Sequence, residues 1–177
     1  MRRTLILVVA LIAVGVPGLM ADVLPLNTWE SFFWDDGGTL PSATTPATWT
    51  FTTTAPTQLQ VTDGFNIGDE FSVQVAGTVN TTFNTSAINP ALDGTLGSGS
   101  TGPTSWADTD YSHGAINLGP GTYTVTLDII RNAAGFTGGG AFIQDTTAAP
   151  EPGTVALLLT VLAGVGFSLR RKQQAGS

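Results

Sequence analysis

No cysteine occurs anywhere in the chain. That single absence excludes disulfide staples, thiolate catalysis and cysteine-ligated zinc. Stability then has to come from a packed core, with calcium as the natural aid. Histidine is nearly absent too: His113 stands alone, so a zinc site built from several imidazoles is excluded and a Ser-His-Asp triad has one position to start from. Positive charge is equally sparse in the middle of the chain. Of the 6 Lys and Arg, Arg2 and Arg3 open the sequence, Arg170, Arg171 and Lys172 close it, and Arg131 alone lies between them. Of the 13 Asp and Glu, every one except Glu151 falls from Asp22 to Asp145. A cation-poor, acidic region offers nothing to a phosphate backbone, so nucleic acid is not an expected partner. A cation, a neutral sugar or plain solubility suits this charge balance better.

What is present at the two ends is apolar and basic. Arg2-Arg3, the run Leu5 to Val16, Pro17-Gly18 and the small residues before Ala21 form the basic, apolar and cleavage regions of a secretory signal peptide. Cleavage by signal peptidase is expected between Ala21 and Asp22, giving a signal segment of residues 1–21. The apolar run, about 12 residues, is well short of the ~20 that span a bilayer. At the other end Thr154 to Leu169 carries no charge and is followed by Arg170, Arg171 and Lys172. As a helix this stretch covers about 24 Å at ~1.5 Å per residue, close to a ~30 Å hydrocarbon core once the flanking cations snorkel. The positive-inside rule puts that cluster in the cytoplasm and the acidic region outside, in agreement with a signal peptide at the front.

Pro150-Glu151-Pro152-Gly153-Thr154, set directly before the apolar helix and the terminal basic cluster, resembles the PEP-CTERM sorting signal. The resemblance covers residues 149–172. It implies recognition of Pro150, Glu151 and Pro152 by a membrane-embedded exosortase, with Gly153 and Thr154 continuing the motif and Arg170, Arg171 and Lys172 stopping transfer. It further implies an inner-membrane precursor in a Gram-negative bacterium that makes exopolysaccharide, and transfer of the product to the cell surface or matrix. The triad suits such a role, because two prolines keep the backbone extended and outside any helix or ladder, where an enzyme can reach it.

Between the two devices, residues 22–148, the dominant pattern has a period of two. Tyr123, Val125, Leu127 and Ile129 alternate with Thr122, Thr124, Thr126 and Asp128. Phe71, Val73 and Val75, Leu59 and Val61, and Trp49 and Phe51 alternate with polar neighbours in the same way. Asp63-Gly64, Gly68-Asp69 and Pro120-Gly121 sit where these runs end, as turns require. The expectation is an all-β fold, an antiparallel β-sandwich of jelly-roll type, with Phe142 and Ile143 in the last strand and no helix. Val61 to Phe65, Gly68 to Phe71, Pro120 to Tyr123 and Gly139 to Phe142 resemble blocks of β-sandwich ectodomains often joined to PEP-CTERM tails. From Asn84 to His113 a long glycine-rich loop is expected.

Several side chains invite chemistry. Asp108-Thr109-Asp110-Tyr111-Ser112 begins like a calcium loop, which makes Asp108 and Asp110 the cation candidates. The pattern then departs, with His113 where glycine belongs and Gly119 where a bidentate glutamate belongs. Asp35-Asp36, Asp63 and Asp69-Glu70 are further carboxylates that a cation site could use, set against the plainer reading of all these acids as solvated turns. Trp29, Trp34 and Trp106, placed in loops or edges, are the candidates for stacking on sugar rings, set against the favoured reading of burial on the sandwich, and Trp49 belongs to the core. No Gly-x-Ser-x-Gly elbow occurs. The functional expectation is therefore a non-enzymatic surface or matrix protein associated with exopolysaccharide, set against a carbohydrate-active hydrolase and a purely structural adhesin.

Overall fold

The computed structural model of the protein describes residues 21–35, 37, 40 and 42–147. The expected signal helix, Asp36, the Pro150 to Thr154 motif, the apolar helix and the Arg170 to Lys172 cluster lie outside the described residues.

The described chain is mostly antiparallel β-sheet wound into a nearly closed, barrel-like wall. Its strands are β1 (Asp22–Val23), β2 (Glu30–Asp35), β3 (Ser42–Thr53), β4 (Thr57–Asp63), β5 (Glu70–Gly77), β6 (Thr81–Asn84), β7 (His113–Leu118), β8 (Gly121–Arg131) and β9 (Gly138–Thr147), with one short helix, α1 (Gly102–Ala107). Around the wall the order is β6-β5-β8-β3-β2-β9-β4-β7, with β1 added in parallel to β3. The antiparallel pairs are nested: β5 with β6, β4 with β7, β3 with β8 and β2 with β9. One long folded ribbon has thus been rolled up, and β5·β8, β4·β9 and β2·β3 are the contacts the rolling creates. β3 turns the corner between halves. Its pairing with β8 shifts between Ala43 and Thr48, around Pro46, which has no N–H to give a ladder. The two edges nearly meet, since Ser86, just past β6, donates its N–H to the carbonyl of His113 at 2.9 Å.

The alternation read from the sequence sets which face points in. Tyr123, Val125, Leu127 and Ile129 are buried, as are Phe71, Val73 and Val75, Leu59 and Val61, and Trp49 and Phe51. Phe32, Trp34, Trp49 and Phe71 form an edge-on and tilted aromatic cluster at the centre, with ring centroids 5.3 to 6.2 Å apart. Each such side chain contributes about 1.5 to 3 kcal/mol by leaving water, which explains how a cysteine-free chain holds together.

Two expectations are corrected here. The segment from Asn84 to His113 is not all loop: Thr101 caps α1 by accepting the N–H of Thr104, and the Thr104 hydroxyl meets the Thr101 backbone N–H at 3.2 Å in return. Pro103 then fits the first turn, where no donor is lost. A single helical turn with glycine and proline leaves too little periodicity to detect. With Ile67 of the β4–β5 connection the same segment also builds a second small core, from Ile88 and Tyr111 with Leu92 against them.

Candidate functional site

Inward alternation along β4 runs Leu59, Val61, Asp63, so the strand that builds the core also delivers a carboxyl group into it. Asp63 is fully buried and Asp69 is 2% exposed, which corrects the expectation of solvated turns. Oδ1 of Asp63 accepts the N–H of Gly64 at 2.7 Å, and Oδ2 accepts those of Gly68 and Asp69 at 3.1 and 3.2 Å. One carboxyl group therefore ties the whole β4–β5 turn. Asp69 in turn accepts the N–H of Ala133 at 2.8 Å, joining that turn to the segment after β8. Burial, reinforced by the neighbouring Asp69, pushes the Asp63 carboxyl up to about 9. Burial also raises Asp69, to about 7, although the Ala133 N–H and a hydrogen bond from Asp63 oppose it.

Around this pair the polar groups are spent on structure. Ser112 donates its hydroxyl to the carbonyl of Asp69 at 2.6 Å and lies 2.9 Å from the Thr85 hydroxyl. Tyr111 donates to the carbonyl of Phe65 at 2.9 Å and accepts from the Gly99 N–H at 3.0 Å. The lone arginine of the domain, Arg131, pairs with Asp93 and with Glu70, the latter at 3.4 Å. His113, the one possible triad base, sets Nδ1 against the carbonyl of Tyr111 at 3.0 Å, away from Ser112's bonds.

The calcium candidates adopt a turn. Asp108 accepts the Ser98 hydroxyl at 2.6 Å on one oxygen and the Asp110 N–H at 3.0 Å on the other, and these bonds hold its carboxyl below the usual range. Among the described residues no three carboxylates or imidazoles gather as a metal site.

The tryptophans separate. Trp34 is 5% exposed on β2 and donates its indole N–H to Asn132 at 3.1 Å, so it belongs to the core and is withdrawn as a sugar platform. Its alternation with Phe32 carried that message, but Phe33 and Asp35 beside it masked the pattern. Trp29 and Trp106 do come together, half-buried, with ring centroids 5.9 Å apart. His113 packs edge-on against Trp106 as well, with ring centroids 5.2 Å apart. Trp29 lies so close over Gly102 that a Cβ there would overlap the indole. α1 thus fixes both indoles on the outside of the wall.

No protein-family model, curated protein or solved structure matches the chain. What the domain does must be argued from its own residues.

Proposed function

We propose that this is an exported cell-surface or matrix protein, sorted by an exosortase through Pro150 to Thr154, whose non-enzymatic domain associates with exopolysaccharide. In this reading the nested strand pairs are a jelly roll, and the domain is the cargo of two targeting segments. The observation that carries the reading is where the fold closes. Asn27 accepts hydrogen bonds from the Thr146 hydroxyl at 2.9 Å and the Thr147 N–H at 3.0 Å, and its own N–H meets the carbonyl of Asp145. The start of the domain therefore fastens its last strand, and the sequence leaves only Ala148 and Ala149 before Pro150. A sorting enzyme at the membrane would meet the triad directly below a finished fold.

The half-buried indole pair supports contact with sugar, because indole faces pack against the apolar C–H faces of pyranose rings. The disposition of the acids supports a non-enzymatic role. Asp63, Asp69 and Asp145 are buried and bonded internally, where they cannot face each other across a cleft as glycoside hydrolysis needs. The test is mass spectrometry of mature protein from an exosortase-bearing host. Wild-type protein is expected at the surface without its apolar segment and the Arg170 to Lys172 cluster, and Glu151→Ala is expected to stay in the inner membrane with its tail. Wild-type protein recovered with the tail intact would overturn the proposal.

A further inference from the structure

The outer face of β2, β9, β4 and β7 carries a pattern that the core does not need. Inward positions on these strands hold Leu59, Val61, Leu118 and Ile143. Outward positions hold Gln58 and Gln60 on β4, Gln144 on β9 and Asn117 on β7. Register places Gln60 opposite both Gln144 and Ala115, and Gln58 opposite both Thr146 and Asn117. β2 pairs Glu30 with Ile143, the neighbour of Gln144, and Trp29 directly precedes Glu30. Resting on the polysaccharide association proposed above, we infer that this face is a binding shelf for a neutral polysaccharide chain, with Trp29 and Trp106 as its wall and the four amides as its floor.

Three observations point to that ligand. The first is chemical: amides both donate and accept, as sugar hydroxyls do, and here they are lined up with their ends uncommitted. Gln60 donates to Gln58 at 2.6 Å and Gln58 donates to Asn117 at 3.0 Å. This relay leaves the Oε1 of Gln60 and the Nδ2 of Asn117 unspent at opposite ends. The second is position. Gln144 stands opposite Gln60 in the ladder, and although the residue is 9% exposed its amide is not one of the buried polar groups that lack a partner, so its ends reach solvent. A hydroxyl arriving from outside can take the place of water there.

The third is charge. The rows formed by Gln144, Gln60 and Ala115 and by Thr146, Gln58 and Asn117 contain no Asp, Glu, Lys or Arg. In a domain that is otherwise acidic, this face attracts no cation, while the field of the whole domain repels a polyanion. A neutral, hydroxyl-bearing chain is what remains. The row from Gln144 to Ala115 crosses two strand-to-strand spacings and ends at a residue too small to block a polymer passing over the edge. The wall is ordered in advance, because Trp106 packs against both Trp29 and His113 and Trp29 rests on Gly102.

The test uses the full chain in detergent micelles, run by affinity electrophoresis through gels containing hydroxyethyl cellulose, mixed-linkage β-glucan, glucomannan or alginate. At least one neutral gel is expected to retard the wild-type protein, and alginate is not. Trp29→Ala and Gln144→Glu are each expected to weaken that retardation tenfold or more. Gln144→Glu serves as the independent variant should Trp29→Ala unfold, with thermal melting as the check. Co-fractionation of the same proteins with the producing cells' matrix separates the two ideas. Variants that melt normally and still bind neutral gels sink the shelf but leave the polysaccharide association standing. Retardation by alginate alone, or by none of the gels, also overturns the shelf. Wild-type protein that does not co-fractionate with matrix overturns the association itself.

Discussion

The Oδ2 atom of Asp63 accepts the backbone N–H of Asp69 at 3.2 Å, so the main chain of one acid fixes the side chain of the other in a place where neither meets water. A turn held this way is strongest when the pair keeps a proton. Burial raises both groups, Asp63 to about 9 and Asp69 to about 7. Asp93 pushes Asp69 further up and Arg131 pulls it down, so these two charges modulate the pair without reversing it.

The folded state therefore binds protons more tightly than the unfolded chain, whose aspartates titrate near ~3.9. Linkage gives the sign: the stability due to these groups is complete below about pH 4 and is lost as pH rises through about 7 toward 9. Thermal midpoints are expected to fall from pH 5 to pH 9. Asp69→Asn, which removes one acid and its repulsion of Asp63, is expected to flatten that slope. A wild-type midpoint that rises over the same range contradicts the assignment.

Tyr111 bridges the Phe65 carbonyl and the Gly99 N–H, two segments that no strand connects. Tyr111→Phe keeps the ring in the small core with Ile67 and Ile88 but leaves both backbone groups without that partner. A loss of about 1 to 3 kcal/mol is expected, with faster hydrogen exchange at Gly99 than in β8. Equal exchange in the variant and the wild type would remove the bridge from the account.

Much of the wall was legible because period two is a direct consequence of strand geometry, and Tyr123 to Ile129 could point only one way without exposing four apolar groups. The same rule, followed two residues past Val61, places Asp63 inside. The adjacent glycine made Asp63 look like a surface turn, and composition gives no sign that a carboxyl group is needed as a hydrogen-bond acceptor for Gly64, Gly68 and Asp69. Trp34 was misplaced for a related reason: short strands such as β2 offer few repeats, and its partner on β9, Gly139, has no side chain to mark the pairing. The Trp29–Trp106 contact depends on α1 folding back over the sheet, a long-range event that no local pattern encodes. The amide row depends likewise on the register of three strands far apart in sequence.

The register of β8 makes a sharp contrast between neighbours. Leu127 is fully buried, whereas Thr126 faces outward opposite Thr48 and Gln74. Leu127→Ala is expected to cost about 2 to 5 kcal/mol, with Thr126→Ala within about 0.5 kcal/mol of wild type, as read from denaturant midpoints. Reversed costs would mean that β8 is slipped by one residue.

Asn27 offers the cleanest dissection of how the two ends are fastened. Its backbone is left-handed, with φ at 58°, and its side-chain oxygen accepts from Thr146 and from both the N–H and the hydroxyl of Thr147. Only the acceptor oxygen is used, so Asn27→Asp keeps every bond and a residue type that tolerates the left-handed region. Asn27→Gly keeps the backbone freedom and loses the bonds, and Asn27→Ala loses both. The expected order of stability is wild type and Asp, then Gly, then Ala, with Ala about 1 to 3 kcal/mol below wild type. Hydrogen exchange at Thr147 should accelerate in the same order. If glycine matched wild type at Thr147, the side-chain clamp would be idle, and the end of the last strand would owe its closure to the β4 ladder and the Asn27 backbone bond to Asp145.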